Sequence, residues 1–167
     1  PEAHAFVQSV VKAIRDPRRV LEIGSYDVNA TAQGLCIRDR CDGDVYVGLD
    51  LRAGPGVDVV ADGATWPGDG APFDLVISTE VLEHATSAAG IVANAHRLLR
   101  PGGVLVLTAA GEGRRPHSAV DGLELHAGEF YRNVTRADLA NWLAPFAVRL
   151  IDDTTTPHDI YALGVKG

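Results

Sequence analysis

The sequence contains no methionine and only two cysteines in 167 residues. Cys36 and Cys41 form neither a C-x-x-C pair nor a Cys/His ligand spacing, so no structural zinc and no other metal site is expected. Their scarcity suggests a reducing compartment. Proline at position 1, without a methionine, is what removal of an initiator or trimming would leave. No apolar run approaches the ~20 residues of a membrane-spanning helix. No basic stretch precedes an apolar one, as in a secretion signal. A cytoplasmic protein without a membrane partner is expected. Basic residues are too few for a nucleic-acid partner: Lys+Arg is 15 against Asp+Glu 22, a net charge of −7, which repels a phosphate backbone. Internal repeats, coiled-coil heptads and low-complexity tracts are also missing. What remains is ordinary globular composition, 46% hydrophobic and 22% charged, which excludes wholesale disorder. The length suits one domain over 1–167.

Apolar residues at Ala3, Phe6, Val7, Val10, Val11 and Ile14 have helical spacing, and Asp16-Pro17 ends it. Residues 1–17 therefore read as an N-terminal helix. Residues 19–24 read as a buried strand closed by Gly24. A weaker helix is expected over 29–40, with Asp27 or Asn29 as its cap. Strands follow at 45–51 and 57–61. Gly and Pro crowd 65–72, so any helix between the third and fourth strands must be short or absent. Residues 73–81 read as the fourth strand. An amphipathic helix over 87–100 stops at Pro101-Gly102-Gly103, and a fifth strand spans 104–109. Residues 111–132 are polar and aperiodic, as functional loops are. Thr135-x-x-Asp138 resembles a capping box, opening a helix through Leu143. Two last strands, 147–151 and 160–165, have no helix between them and should form an antiparallel pair at one edge.

Strands alternating with helices imply an α/β fold, a mostly parallel sheet covered on both faces. Ligands of such sheets bind at the carboxyl ends of the strands. Four successive strands each deliver polar residues to that rim. The first ends in Glu22-Ile23-Gly24-Ser25-Tyr26, where Gly24 permits a tight turn and close backbone approach. The second ends in Asp50, whose carboxylate can accept two hydrogen bonds from a ribose diol. The third ends in Asp62-Gly63, a carboxylate for an exocyclic amine followed by a backbone donor. The fourth ends in Ser78-Thr79-Glu80. Glu80 and Glu83 lie near the rim, and one of them is expected at the surface.

This ordered set resembles the class I S-adenosylmethionine-dependent methyltransferases, particularly small bacterial members consisting of the methyltransferase domain alone. The segments VLEIGSYDVNAT, YVGLDLRAGPGVDVVAD, FDLVISTEVLEH and LLRPGGVLVLTAAGEG carry the resemblance, together with IDDTTTPHDIYALGVK near the end. It implies a three-layer Rossmann-like fold of seven strands with the last antiparallel. It also implies S-adenosyl-L-methionine as cofactor. Glu22 would support the methionine end and Gly24 would be the first glycine of the cofactor loop, with Ser25 and Tyr26 beside it. Asp50 would take the ribose diol, with Leu51 beside the adenine. Asp62 and Gly63 would read the adenine edge. Thr79 and Glu80 would face the cofactor's amino group. One departure stands out: Tyr26 and Val28 replace the family's later glycines. That departure is what would favour an alternative, a catalytically degenerate domain binding cofactor or a partner. A nicotinamide-dependent oxidoreductase ranks last, because the G-x-G-x-x-G fingerprint is missing.

The acceptor is less legible. Methyl transfer from a sulfonium needs alignment above all, and a base only where the acceptor must lose a proton. By fold-level analogy a small molecule or sugar, methylated at oxygen, is the default acceptor. The loop over 111–133 should form the acceptor side. His117 is the first candidate base, with His126 in the same loop and His84 at the end of the fourth strand. For His84 a packed, hydrogen-bonded histidine is the competing reading. His158 lies on a plausible substrate rim, while His4 and His96 read as helix-surface residues. Arg114-Arg115 could steer an anionic acceptor. The sequence does not speak to oligomeric state.

Overall fold

Successive side chains along the central strands point to opposite faces of the sheet, and both faces are apolar. In β1 (Arg19–Ile23), Leu21 and Ile23 join one buried cluster and Val20 the other. In β5 (Leu99–Ala110), Leu105 and Leu107 divide from Val104 and Val106 in the same way. A sheet buried on both sides needs a helical layer on each. Helix α1 (Glu2–Ala13) supplies one layer through Val7, Val10 and Val11. Helices α2 (Ala88–Leu98) and α3 (Arg136–Trp142) supply the other through Ile91, Val92, Ala95, Leu98 and Leu139. The computed structural model describes residues 2–14, 17–28, 37–41, 43–154 and 158–167.

The remaining strands are β2 (Val45–Asp50), β3 (Val59–Val60), β4 (Phe73–Thr79), β6 (Val148–Asp153) and β7 (Asp159–Val165). The seven strands run in the order β3-β2-β1-β4-β5-β7-β6. β1 to β5 are parallel, and β7 runs antiparallel between β5 and β6. The expected antiparallel pair therefore lies at one edge, with β7 rather than β6 against the body of the sheet. Strand order reverses direction between β1 and β4, which opens a crevice at their carboxyl ends.

Several boundaries differ from the sequence expectation. Pairing of β5 begins at Leu99, opposite Phe73, before the Pro-Gly-Gly breaker. Gly102 (φ +71°) then lets the chain kink, and the ladder resumes at Val104 opposite Leu75. Lys166 Nζ donates to Leu99 O at 2.6 Å and holds this early pairing. β3 is shorter than expected because only Val59 and Val60 pair with β2. Residues 65–72 form neither helix nor strand, as their Gly/Pro content predicted. The expected helix over 29–40 falls mostly outside the described residues, as do Cys36 and the His4 side chain; Arg38–Arg40 form a single 3-10 turn. The capping box is present with aspartate: Asp138 N–H donates to Thr135 Oγ1 at 3.0 Å, and Thr135 N–H donates to the Asp138 carboxylate at 3.0 Å.

Asn94 on α2 fastens the turns after β3. It is 7% exposed, and its Nδ2 donates to Gly63 O and Trp66 O, both at 2.9 Å. Its Oδ1 accepts from Arg97 Nε at 2.9 Å. One amide thus satisfies two carbonyls of the segment that carries Asp62. Asn94→Ala should leave Gly63 O without this donor, while Trp66 O keeps Arg97 Nη2 at 2.8 Å, and lower unfolding free energy by about 1–3 kcal/mol. Urea denaturation monitored by circular dichroism measures this, and an unchanged midpoint would contradict it.

Candidate active site

The turn after β1 forms the floor of the crevice. Gly24 adopts φ +83°, and a Cβ there would lie 2.1 Å from Val81 Cγ2. Only glycine lets the turn pass this close to the chain leaving β4. Gly24 and Ser25 N–H groups both donate to Leu49 O, at 2.8 and 3.1 Å. Ser25 Oγ is buried with no hydrogen-bond partner among the described residues. Just before the turn, Glu22 is 7% exposed and accepts from the Tyr46 hydroxyl at 2.6 Å. Burial raises the Glu22 pKa to about 7, against the lowering effects of the Tyr46 hydrogen bond and the Arg38 charge.

Asp50 closes β2 and ties two backbones together. Its carboxylate accepts from Tyr26 N–H at 3.2 Å and from Arg52 N–H at 3.0 Å. The Tyr26 ring has the Arg52 guanidinium 4.5 Å from its centroid. A Cβ on Gly54 would come within 2.2 Å of Tyr26 Cε2. The aromatic side chain that replaces a loop glycine is therefore accommodated by a glycine after the next strand. Asp62 Oδ1 accepts from Ala64 N–H at 2.8 Å and shapes the turn that follows. Leu51 is 72% exposed at the lip.

The β4 end is more buried and more acidic. Thr79 is its last residue. Glu80 sits in the left-handed region at φ +55°, where it is anchored twice to Thr108. Its N–H donates to Thr108 O at 2.9 Å, and Thr108 Oγ1 donates to its carboxylate at 2.9 Å. Neither Glu80 nor Glu83 is a surface residue, which corrects the expectation that one would be. The 3-10 turn Leu82–His84 buries Glu83 at 0% exposed. Ala110 N–H donates to Glu83 Oε1 at 3.2 Å, while Oε2 is buried without a partner among the described residues. Burial, followed by the Glu80 charge, raises Glu83 to about 8. Burial and Asp159 raise Glu80 as well.

His84, His117 and Tyr131 meet ring edge to ring face, with centroids 5.0, 5.1 and 5.4 Å apart. Burial, reinforced by His117, lowers His84 to about 4, so its imidazole is neutral near pH 7. His117 Nδ1 lies 3.1 Å from Arg115 O. A carbonyl can only accept, so this contact fits a proton on Nδ1 and a lone pair on Nε2. Tyr131 is pushed up to about 12, mainly by burial. The loop that carries these groups is folded by its own polar contacts. Asn133 Nδ2 donates to Gly111 O at 2.6 Å and Arg114 O at 3.1 Å. Arg132 N–H donates to Glu83 O at 2.8 Å, and Arg114 forms an ion pair with Asp159.

These elements enclose a cleft of about 1170 Å³ at the carboxyl ends of the strands. Glu22, Gly24, Ser25, Tyr26, Asp50, Leu51, Asp62, Gly63, Thr79 and Glu80 all line it, as do His84 and His117. So do Arg114 to Val120 of the long loop. His126 does not: its Nε2 lies 3.2 Å from an Asp121 carboxylate oxygen, and its side chain is half-exposed. His158 packs over Gly113, bordering a separate small hollow. His96 sets its ring against Phe146, centroids 4.7 Å apart. Sequence reasoning missed Asp159, the buried partner of Arg114, and the depth of Glu83. The spacing Glu80-x-x-Glu83-His84 across a 3-10 turn was the available signal for the latter. No described helix is long and apolar enough to cross a membrane.

A family model described as "Methyltransferase domain" matches residues 2–146. No curated protein matches the chain. Among solved structures, 1,6-didemethyltoxoflavin-N1-methyltransferase of Burkholderia thailandensis, bound to 1,6-didemethyltoxoflavin and S-adenosylhomocysteine, superposes with TM-score 0.71 at 20% identity. That match covers 98% of this chain and 78% of the other. The N-methyltransferase NodS of Bradyrhizobium japonicum, in complex with S-adenosylhomocysteine, gives TM-score 0.68 at 14% identity, over 99% and 86% of the two chains. CalS10 of Micromonospora echinaspora, an amino pentose methyltransferase bound to S-adenosylmethionine, gives 0.65 at 18%, over 99% and 91%. At such identities these likenesses speak to the fold, and the family match speaks to the chemistry. The seven-stranded order, the glycine turn under the cleft and the family match agree: the chain belongs to the methyltransferase domain family, as an S-adenosylmethionine-dependent methyltransferase of class I fold.

Proposed function

We propose that this enzyme methylates an oxygen of a small-molecule or sugar-type acceptor, and that it is a cytoplasmic protein acting without nucleic acid. The observation that carries the oxygen reading is the cluster of His84, His117 and Tyr131 rings against buried Glu83 at the β4–β5 end of the cleft. Such groups handle protons, and a hydroxyl must shed its proton to be methylated. A neutral amine attacks with a lone pair it already has. The second reading is nitrogen methylation, and the activities named for NodS and for the didemethyltoxoflavin N1-methyltransferase favour it.

The cofactor side is assigned residue by residue. S-adenosylmethionine supplies a methyl group activated by the sulfonium. Asp50 would accept from the ribose hydroxyls, and Asp62 with Gly63 would meet the adenine edge. Glu22, Gly24, Ser25 and Thr79 would surround the methionine end, with Tyr26, Leu51 and Glu80 alongside. The unpartnered Ser25 Oγ supports a polar ligand at this turn, while Gly24 and Gly63 let the rim backbone pack closely on Val81 and Ile23. His117 acts first on the acceptor's proton, His84 second. His126, held by Asp121 outside the cleft lining, is the weakest of the three candidates.

Removal of Asp50 should weaken S-adenosylhomocysteine binding by about 1–3 kcal/mol, the worth of hydrogen bonds to a charged acceptor. Asp50→Asn, which keeps the shape that holds Tyr26 and Arg52, is the cleaner variant beside Asp50→Ala. Calorimetry measures the difference, and an unchanged Kd in a folded variant rejects the diol role.

Affinity should also depend on pH through Glu22. Folded and unliganded, Glu22 holds its proton up to about pH 7. A ligand ammonium beside it favours the ionised form, so binding expels a proton below that pH. Affinity should therefore rise between pH 5 and 7, by at most about tenfold per unit, and level off above. The unliganded fold should show the opposite trend. An unfolded Glu22 ionises near 4.5, so unfolding releases a proton and stability falls from pH 4.5 to 7. Calorimetry at pH 6 in buffers of different ionisation enthalpy measures the proton released on binding. No release would reject the placement of the ammonium.

His117→Ala should leave S-adenosylhomocysteine affinity nearly intact and lower turnover of a hydroxyl acceptor by ~10²-fold or more. Acceptor screening with matched alcohols and amines tests the oxygen reading directly. Exclusive methylation of amines would overturn it.

A further inference from the structure

We propose that Glu83, His84 and His117 bind a divalent first-row transition metal ion at the acceptor end of the cleft. One ligand atom from each lies within 4.8 Å of the others. Three ligands about 2.1 Å from a common tetrahedral ion sit about 3.4 Å apart. Side-chain adjustments of at most about 1.4 Å therefore close the site. Two imidazole nitrogens and one carboxylate oxygen suit zinc, manganese or iron, whereas magnesium and calcium prefer oxygen ligands throughout.

The state of each group points the same way. Glu83 is 0% exposed, and its Oε2 has no hydrogen-bond partner among the described residues. Its other oxygen is oriented by Ala110 N–H at 3.2 Å. An unpartnered oxygen on a fully buried carboxyl is costly, and a coordinated cation removes that cost. His84 Nδ1 is likewise buried and unpartnered among the described residues. His117 directs Nδ1 at the Arg115 carbonyl, which leaves Nε2 as its lone pair. A metal-binding histidine almost always has its second nitrogen held in this way.

The ion would stand on the cleft wall beside His84 and His117, both of which face the cavity. Three protein ligands leave coordination positions open, as in catalytic rather than structural sites. An acceptor hydroxyl in an open position becomes more acidic. Its proton passes to water, and its oxygen bonds to the methyl carbon as the methyl–sulfur bond breaks and sulfur keeps the electron pair. In this form the two histidines hold the ion and do not themselves take the proton. That role rests on the oxygen-acceptor reading; metal binding does not.

Calorimetric titration of the chelator-treated chain with ZnCl₂ and with MnCl₂ tests the site, with S-adenosylhomocysteine binding measured on every preparation. One equivalent of at least one metal should bind. His117→Ala and Glu83→Gln should each weaken that binding at least ~10-fold, and His117→Ala should keep its S-adenosylhomocysteine affinity. His126→Ala, altering a histidine outside the cluster, should bind metal like the parent. If Glu83→Gln does not fold, His117→Ala on the loop carries the test alone. The proposal is overturned if neither metal binds stoichiometrically, if His117→Ala binds as the parent does, or if His126→Ala weakens binding equally. Metal binding together with exclusive methylation of amines would uphold the site and reject the oxygen reading.

Discussion

A sheet buried on both faces can carry polar chemistry only at its rim. Val20, Leu75, Ile77 and Val106 press against one helical layer, and Leu21, Val76, Leu105 and Leu107 against the other. Every charged group on the central strands is thereby driven to a strand end. The reversal of strand order between β1 and β4 then parts the connections and leaves those ends facing a common cleft. The architecture gathers Glu22, Asp50, Thr79 and Glu80 without any direct contact needed among them.

The rim has two halves of different electrostatic character. On the β2–β3 side the carboxylates are accessible and already satisfied in part by backbone N–H groups, as Asp50 is by Tyr26 and Arg52. Acceptors of that kind suit neutral hydroxyls and amines. On the β4–β5 side Glu80 and Glu83 are withdrawn from water, and their raised pKa values reflect the missing solvation. Arg114 compensates part of that charge but is itself paired with Asp159. The first half is fit for recognition and the second for moving a proton or holding a cation.

Much of this was legible in the sequence because strand ends are marked by abrupt changes of composition. Glu22-Ile23-Gly24, Leu49-Asp50 and Ala61-Asp62-Gly63 each step from apolar to acidic within a residue or two, and a parallel sheet aligns such steps. The fate of Glu83 was not legible. Whether a carboxylate after β4 is exposed or buried depends on a single 3-10 turn and on where Ala110 of β5 ends, and neither is a local property. The same holds for His126 and His117, which share one polar loop. Asp121 holds one outward, whereas ring contacts with His84 and Tyr131 hold the other at the cleft. The accommodation of Tyr26 depends on Gly54, distant in sequence and unmarked by any motif.

Glu80 illustrates a different consequence of this arrangement. A non-glycine residue at φ +55° costs about 1–2 kcal/mol, and glycine would adopt the same backbone without that penalty. Thr108 offsets part of the cost by holding both the backbone and the carboxyl of Glu80. Under the cofactor role proposed for Glu80, folding and function therefore pull in opposite directions at this position. A stability selection would drift toward glycine there, while a selection for activity would hold the acid. The identity of residue 80 across laboratory-evolved libraries would thus report which pressure was in force.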